Sequence, residues 1–205
     1  GDDDGHEIAD KLTKRIQDEY DSERFVVEYE KLMKSWVAHS KIKNRNFGWS
    51  IWPKEGLHCT GFELKKSNAA KITKQVQEQA FTALCRDNAD RKEIDDIVFN
   101  LIAQAKDGCL PTNLVVMRSR LGKDPSAYEQ GGGFQGAAKR HNAISGDKFV
   151  AGEGVPHIYT TKGIEAFKTD KERDSLSIDW TTVIAKQIIA PVALIYEAMG
   201  WEHPD

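Results

Sequence analysis

Cysteine is scarce in this chain. Its 205 residues include only Cys59, Cys85 and Cys109, an odd number whose spacings match neither a metal knuckle nor a redox pair. A disulfide-stapled scaffold is excluded, and a chain of this length buries a core without one. Reduced thiols in an intracellular compartment, cytoplasmic or nuclear, are the expectation. Long hydrophobic runs are also missing. The longest, Ile188 to Tyr196, is too short to cross a bilayer and reads as a buried helix, with no membrane role. Strong net charge is absent too: −3 at pH 7 says nothing global about partners. The acidic start (Asp2, Asp3, Asp4) is the opposite of a signal or transit peptide. With 40% hydrophobic and 30% charged residues the chain is that of a folded protein, and a single domain over residues 1–205 is expected.

Periodicity supplies the elements. Ile8, Leu12, Ile16 and Tyr20 recur every fourth residue, so residues 1–21 read as an acidic helical arm. Phe25, Val26, Tyr29, Leu32, Met33, Trp36 and Val37 predict a second helix over 22–38 with a wide apolar stripe, suited to the core or to a protein partner. Phe47–Trp52 and Leu57–Leu64 read as strands joined by the turn Pro53-Lys54-Glu55-Gly56. Ser67 is placed to cap a helix over 68–86, and Asp90 with Glu93 has capping-box spacing for a helix over 91–107, ended by Gly108. Leu114–Met117 and His157–Thr160 read as short strands. Residues 122–154 form a glycine-rich, irregular region with short helices near Pro125 and over 137–142, of the kind that carries function. The last helix spans 177–199, kinked by Pro191 and stopped by Gly200. The fold class is α+β, predominantly helical, with a small antiparallel sheet. Its core comes from the helices at 22–38, 68–86, 91–107 and 177–199.

Charge is unevenly spread. Residues 1–30 hold eleven acids against Lys11, Lys14, Arg15 and Arg24, whereas residues 31–74 hold ten basic residues against Glu55 and Glu63. Cations in such a run track a phosphate backbone, and aromatic rings among them, Phe47, Trp49 and Trp52, stack on unpaired bases. Alternatively the acidic arm packs beside the basic segment as an ordinary solvated face. The same charges also suit head-to-tail assembly of copies. Lys41, Lys43, Arg45, Trp49, Arg118, Arg120, Lys139 and Arg140 are the candidate nucleic-acid contacts.

Three motifs bear on catalysis. Glu63-Leu64-Lys65, read on a strand, puts an acid and an ammonium on one side. This pair resembles the restriction-enzyme-like nuclease superfamily, whose acid binds Mg²⁺ while the lysine steadies the attacking water. The resemblance also requires an upstream aspartate, for which only Glu55 is available. His58-Cys59-Thr60 places a histidine and a hydroxyl on one strand face and resembles one unit of the two-histidine phosphoesterases. The second unit would be His157-Ile158-Tyr159, where tyrosine stands in the hydroxyl position and Thr160 falls one step late. Gly131-Gly132-Gly133-Phe134-Gln135-Gly136 precedes a helix, as phosphate-cradling glycines do, without the lysine-threonine pair or the dinucleotide spacing.

No catalytic motif is complete and no zinc set is present. The reading is therefore a nucleic-acid-associated, self-assembling structural protein of nucleoprotein or coat type. Single-stranded nucleic acid is the expected partner, a homo-oligomer the expected state, and no cofactor is expected. The alternative is an enzyme: a Mg²⁺-dependent nuclease on Glu63, Lys65 and Glu55, or a phosphoesterase on His58, Thr60 and His157.

Overall fold

The computed structural model describes residues 2–129 and 133–203; Gly131 and Gly132 of the glycine stretch lie outside them. The architecture is α+β, with six helices and two antiparallel three-stranded sheets among the described residues.

Helix α1 (Asp2–Tyr20) is followed by an extended strap and strand β1 (Leu32–Ala38). The helix expected over 22–38 therefore does not form. Residues 22–31 instead run beside α1, where Gln17 Nε2 donates to the Phe25 carbonyl (2.8 Å) and Thr13 Oγ1 accepts from Val27 N–H (2.8 Å). From Leu32 onward the backbone hydrogen bonds go to β2 (Asn46–Trp52), which pairs in turn with β3 (Gly56–Thr60). A ladder partner on the next strand outweighs a periodicity that suited a helix equally well.

The expected hairpin forms through the turn at Pro53–Gly56, but its second strand stops at Thr60. Gly61 (φ +78°) turns the chain there and lies against the Asn44 carbonyl, where any side chain would collide. Glu63–Lys65 is consequently a single 3₁₀ turn, not a strand.

Helices α2 (Lys71–Arg86) and α3 (Arg91–Lys106) follow. The Asp90–Glu93 capping box is present, each side chain taking the other's backbone N–H. Ser67 does not cap α2; its N-cap is Ala70, which has no side-chain oxygen to offer. The strand expected at Leu114–Met117 begins only at its end, as β4 (Met117–Arg120), after a 3₁₀ turn at Thr112–Leu114. A 3₁₀ turn at Pro125–Ala127 and helix α4 (Gly133–Ile144) occupy the loop-rich region as expected. Strand β5 (Gly154–Thr160) pairs with β4 and with β6 (Gly163–Ala166), completing the second sheet. The chain ends with α5 (Asp170–Asp174) and α6 (Trp180–Met199).

Two cores result. In the larger, Phe47 of β2 stacks on Phe81 of α2 (centroids 4.2 Å apart), and Phe62 meets both rings edge-on. Val76, Ala80, Ile94, Val98, Ile188, Val192 and Ile195 fill the space between α2, α3 and α6. The smaller core joins α4 to the second sheet through Leu121, Ala138, Phe149 and Val155. Among the described helices only α6 is long and apolar enough to cross a membrane, and one face of it is buried in the larger core. Cys59 and Cys85 are buried, Cys109 is exposed, and all three are free thiols.

The π-helical stretch in α6 shows how the core is tied together. Ile184–Ile189 form a π-helical stretch ahead of Pro191. Proline has no N–H for the carbonyl of Gln187, one turn back. Thr73 Oγ1 of α2 donates to that carbonyl instead (2.8 Å). One turn further along α2, Gln77 Nε2 donates to the Pro191 carbonyl (3.1 Å), while Gln77 Oε1 accepts from Leu64 N–H (2.8 Å).

Candidate nucleic-acid interface

The residues that suggested an enzyme are not brought together. Glu63 pairs with Lys66 (2.6 Å), and Lys65 is exposed on the same 3₁₀ turn. Glu55 lies at the opposite end of β3 and accepts a hydrogen bond from Trp49 Nε1 (3.1 Å). The same-side geometry assumed for Glu63 and Lys65 required a strand that is not there. No group of three His, Cys, Asp or Glu side chains suited to a metal occurs among the described residues. His58 and Thr60 belong to the first sheet and His157 to the second. His157 is buried, bonded to the Val155 carbonyl through Nδ1 (2.9 Å) and stacked on Phe134. Thr160 donates to Glu165 Oε2 (2.7 Å).

The basic candidates distribute over several surfaces. Lys41 and Lys43 are exposed in the β1–β2 turn. Arg118 and Arg120 alternate on the outward side of β4, with Arg120 Nε donating to the Gly152 carbonyl (2.9 Å). Lys139 borders a depression shared with Lys148. Arg140 donates to the Ile164 carbonyl (2.7 Å). Trp49 is half-buried: its ring packs on the larger core, its N–H is given to Glu55, and Arg86 covers it.

Two grooves meet at the start of α2. One is lined by Lys71, Lys74, Arg118 and Arg173, with Asp170 as its carboxylate. The other is lined by Arg45 and Lys186, with Glu63. Ala69 borders both. The uncapped first turn of α2 lies between them and adds the positive end of its dipole to the same field.

A further aromatic surface was not legible as such. Trp36, assigned by periodicity to a helix, lies on the outer face of β1 and is 49% exposed. Its cross-strand neighbour on β2 is Gly48, and the next, on β3, is His58. With no side chain on Gly48 between them, Trp36 and His58 stack at 5.5 Å with an interplanar angle of 27°. Ala38 and Thr60 occupy the neighbouring outward positions and are exposed. Lys31 Nζ donates to His58 Nδ1 (3.4 Å). Burial, and then the charges of Lys31 and Lys65, hold the His58 pKa below its ordinary value. At neutral pH this imidazole is therefore a flat, uncharged ring beside ammonium groups.

No family model matches the sequence, and no curated protein does. Among solved structures, the fold is similar to part of the family B DNA polymerase from the hyperthermophilic archaeon Pyrobaculum calidifontis, with a TM-score of 0.69 at 16% identity. The likeness covers 95% of this chain and 25% of that one, so this chain spans about a quarter of the polymerase's length and shares its fold over that quarter.

Proposed function

We propose that the chain binds nucleic acid, stacking unpaired bases on the Trp36–His58 pair and holding the backbone with the cations around it and in the grooves at the start of α2. The observation that carries this reading is the stacked pair itself. A tryptophan half exposed on an open sheet face, widened by glycine and bordered by lysines, costs hydration unless a planar partner covers it. Base stacking on such a ring is sequence-tolerant, and the cations add a salt-dependent term. The likeness to part of a DNA polymerase supports the same reading. Binding of this kind needs no cofactor.

The test is a fluorescence anisotropy titration of a labelled single-stranded oligonucleotide at two salt concentrations. Affinity is expected to fall as salt rises. Trp36→Ala removes one stacking platform worth about 1–3 kcal/mol, a loss of about 5- to 150-fold. Binding that ignores both salt and Trp36 defeats the proposal, and a duplex that outcompetes the single strand removes its preference for unpaired bases.

Self-association has one observation in its favour. On α1 and its strap Ile8, Leu12, Tyr20, Phe25 and Val26 are exposed among acids, apolar side chains that suit a basic, apolar partner surface. Light scattering across concentration, with Leu12→Asp as the disrupting variant, tests whether that partner is a second copy.

A further inference from the structure

The smaller core borders a cleft of about 650 Å³ between α4, β6 and α5, within the range of small-molecule sites. Its walls are mainly apolar. Ala143, Ala166, Phe167 and Leu176 line it, and Ile144 sits at the rim with 90% of its surface exposed.

The polar groups in the cleft have acceptors to spare. His141 is 8% exposed; its Nε2 faces Glu172 Oε2 at 3.3 Å, and its Nδ1 is buried with no hydrogen-bond partner. One ring nitrogen of His141 is thus engaged by a carboxylate while the other is buried without a partner. Glu172 takes all its hydrogen bonds on Oε2, from Lys168 N–H, Thr169 N–H and His141, so Oε1 stays open. The Lys168 N–H, ahead of the other groups, lowers the Glu172 pKa and keeps it ionised at neutral pH. Glu165 likewise accepts from Thr160 on Oε2 only. The cation among the lining residues, Arg140, donates to the Ile164 carbonyl on β6.

We propose that this cleft is a binding site for a small apolar amine, whose hydrocarbon or aromatic body lies against Ile144, Phe167 and Leu176 while its ammonium donates to Glu172 and Glu165. Glu172 Oε1 and the second oxygen of Glu165 take no hydrogen bond from the described residues, and a donor-rich head on an apolar body is the chemistry that meets free carboxylate oxygens beside an apolar wall. An apolar carboxylic acid is the wrong match, because it adds further acceptors and a like charge. The site is separate from the sheet face proposed to bind nucleic acid, and either assignment can fail without the other.

The probe is 1-naphthylmethylamine, titrated into the isotope-labelled chain, with 1-naphthylacetate as its charge-reversed partner. The amine is expected to give saturable amide shifts confined to α4, β6 and α5, and the acetate to bind at least about tenfold more weakly, the scale of one favourable ion contact. Glu172→Gln keeps an acceptor for the cap at Thr169 and is expected to weaken the amine by about tenfold. Ala143→Phe, at an exposed position on the cleft wall, is expected to block binding without lowering the melting temperature. Absence of saturable shifts, equal binding of the acetate, or undiminished binding to folded Ala143→Phe would each overturn the proposal.

Discussion

Replacing Thr73 by Val tests the tie between α2 and α6. The two side chains have nearly the same shape, and Thr73 is 5% exposed, so the substitution removes a hydroxyl donor and little else. The acceptor it abandons is the Gln187 carbonyl, on a residue 3% exposed. Pro191 has no N–H to replace the lost bond. A buried carbonyl left without a donor costs about 1–3 kcal/mol. In a chain of this size each kcal/mol lowers the melting temperature by about 2–4 °C, so a fall of about 4–8 °C is expected for a cost of about 2 kcal/mol. Thr73→Ser keeps the donor and should lose much less. The decisive measurement is a double-mutant cycle with Pro191→Ala, read by urea denaturation. Alanine at 191 adds an N–H one α-helical turn from the Gln187 carbonyl, so the penalty of Thr73→Val should shrink in that background. Equal penalties with and without Pro191 would refute the reasoning.

Two further outcomes are expected. Gly5 of α1 sits directly on the Tyr29 ring, which stacks on Trp52, and His6 meets both rings edge-on. Gly5→Ala places a methyl inside the Tyr29 ring and should release the start of α1, measured as faster amide exchange there with the larger core unchanged; exchange equal to wild type rules out this docking. Stability should also depend on pH near neutrality. Burial is the main cause that lowers the pKa values of His58 and His157. Above about pH 6.5 these histidines are neutral in both folded and unfolded chains. As pH falls below that, the unfolded chain takes up the protons first, so stability declines until the lowered folded values are passed. The urea midpoint should therefore drop from pH 7.5 to 5.5, and His157→Phe should flatten the drop; a slope unchanged in that variant assigns it elsewhere.

Local signals were legible where the partners lie close in sequence. The Asp90–Glu93 box marked the start of α3 because the groups it joins are three residues apart. Pro53–Gly56 marked the hairpin, and Gly200 (φ +69°) the end of α6, because turn and cap conformations are set residue by residue. The lopsided charge was equally visible, but not where its members lie: Arg45 and Arg118 border adjoining grooves, whereas Lys139 borders a separate depression.

Composition and local pattern thus determined the α+β class, the helices α2, α3 and α6, and the chemical types available for binding. Only the tertiary structure decided that residues 32–38 are a strand, since a strand exists through hydrogen bonds to another segment. It alone stacked Trp36 on His58 across Gly48, ended β3 before Glu63, and joined Thr73 to a carbonyl 114 residues away. Those features depend on cross-strand register and on contacts between helices distant in sequence, and periodicity along one segment carries no information about either.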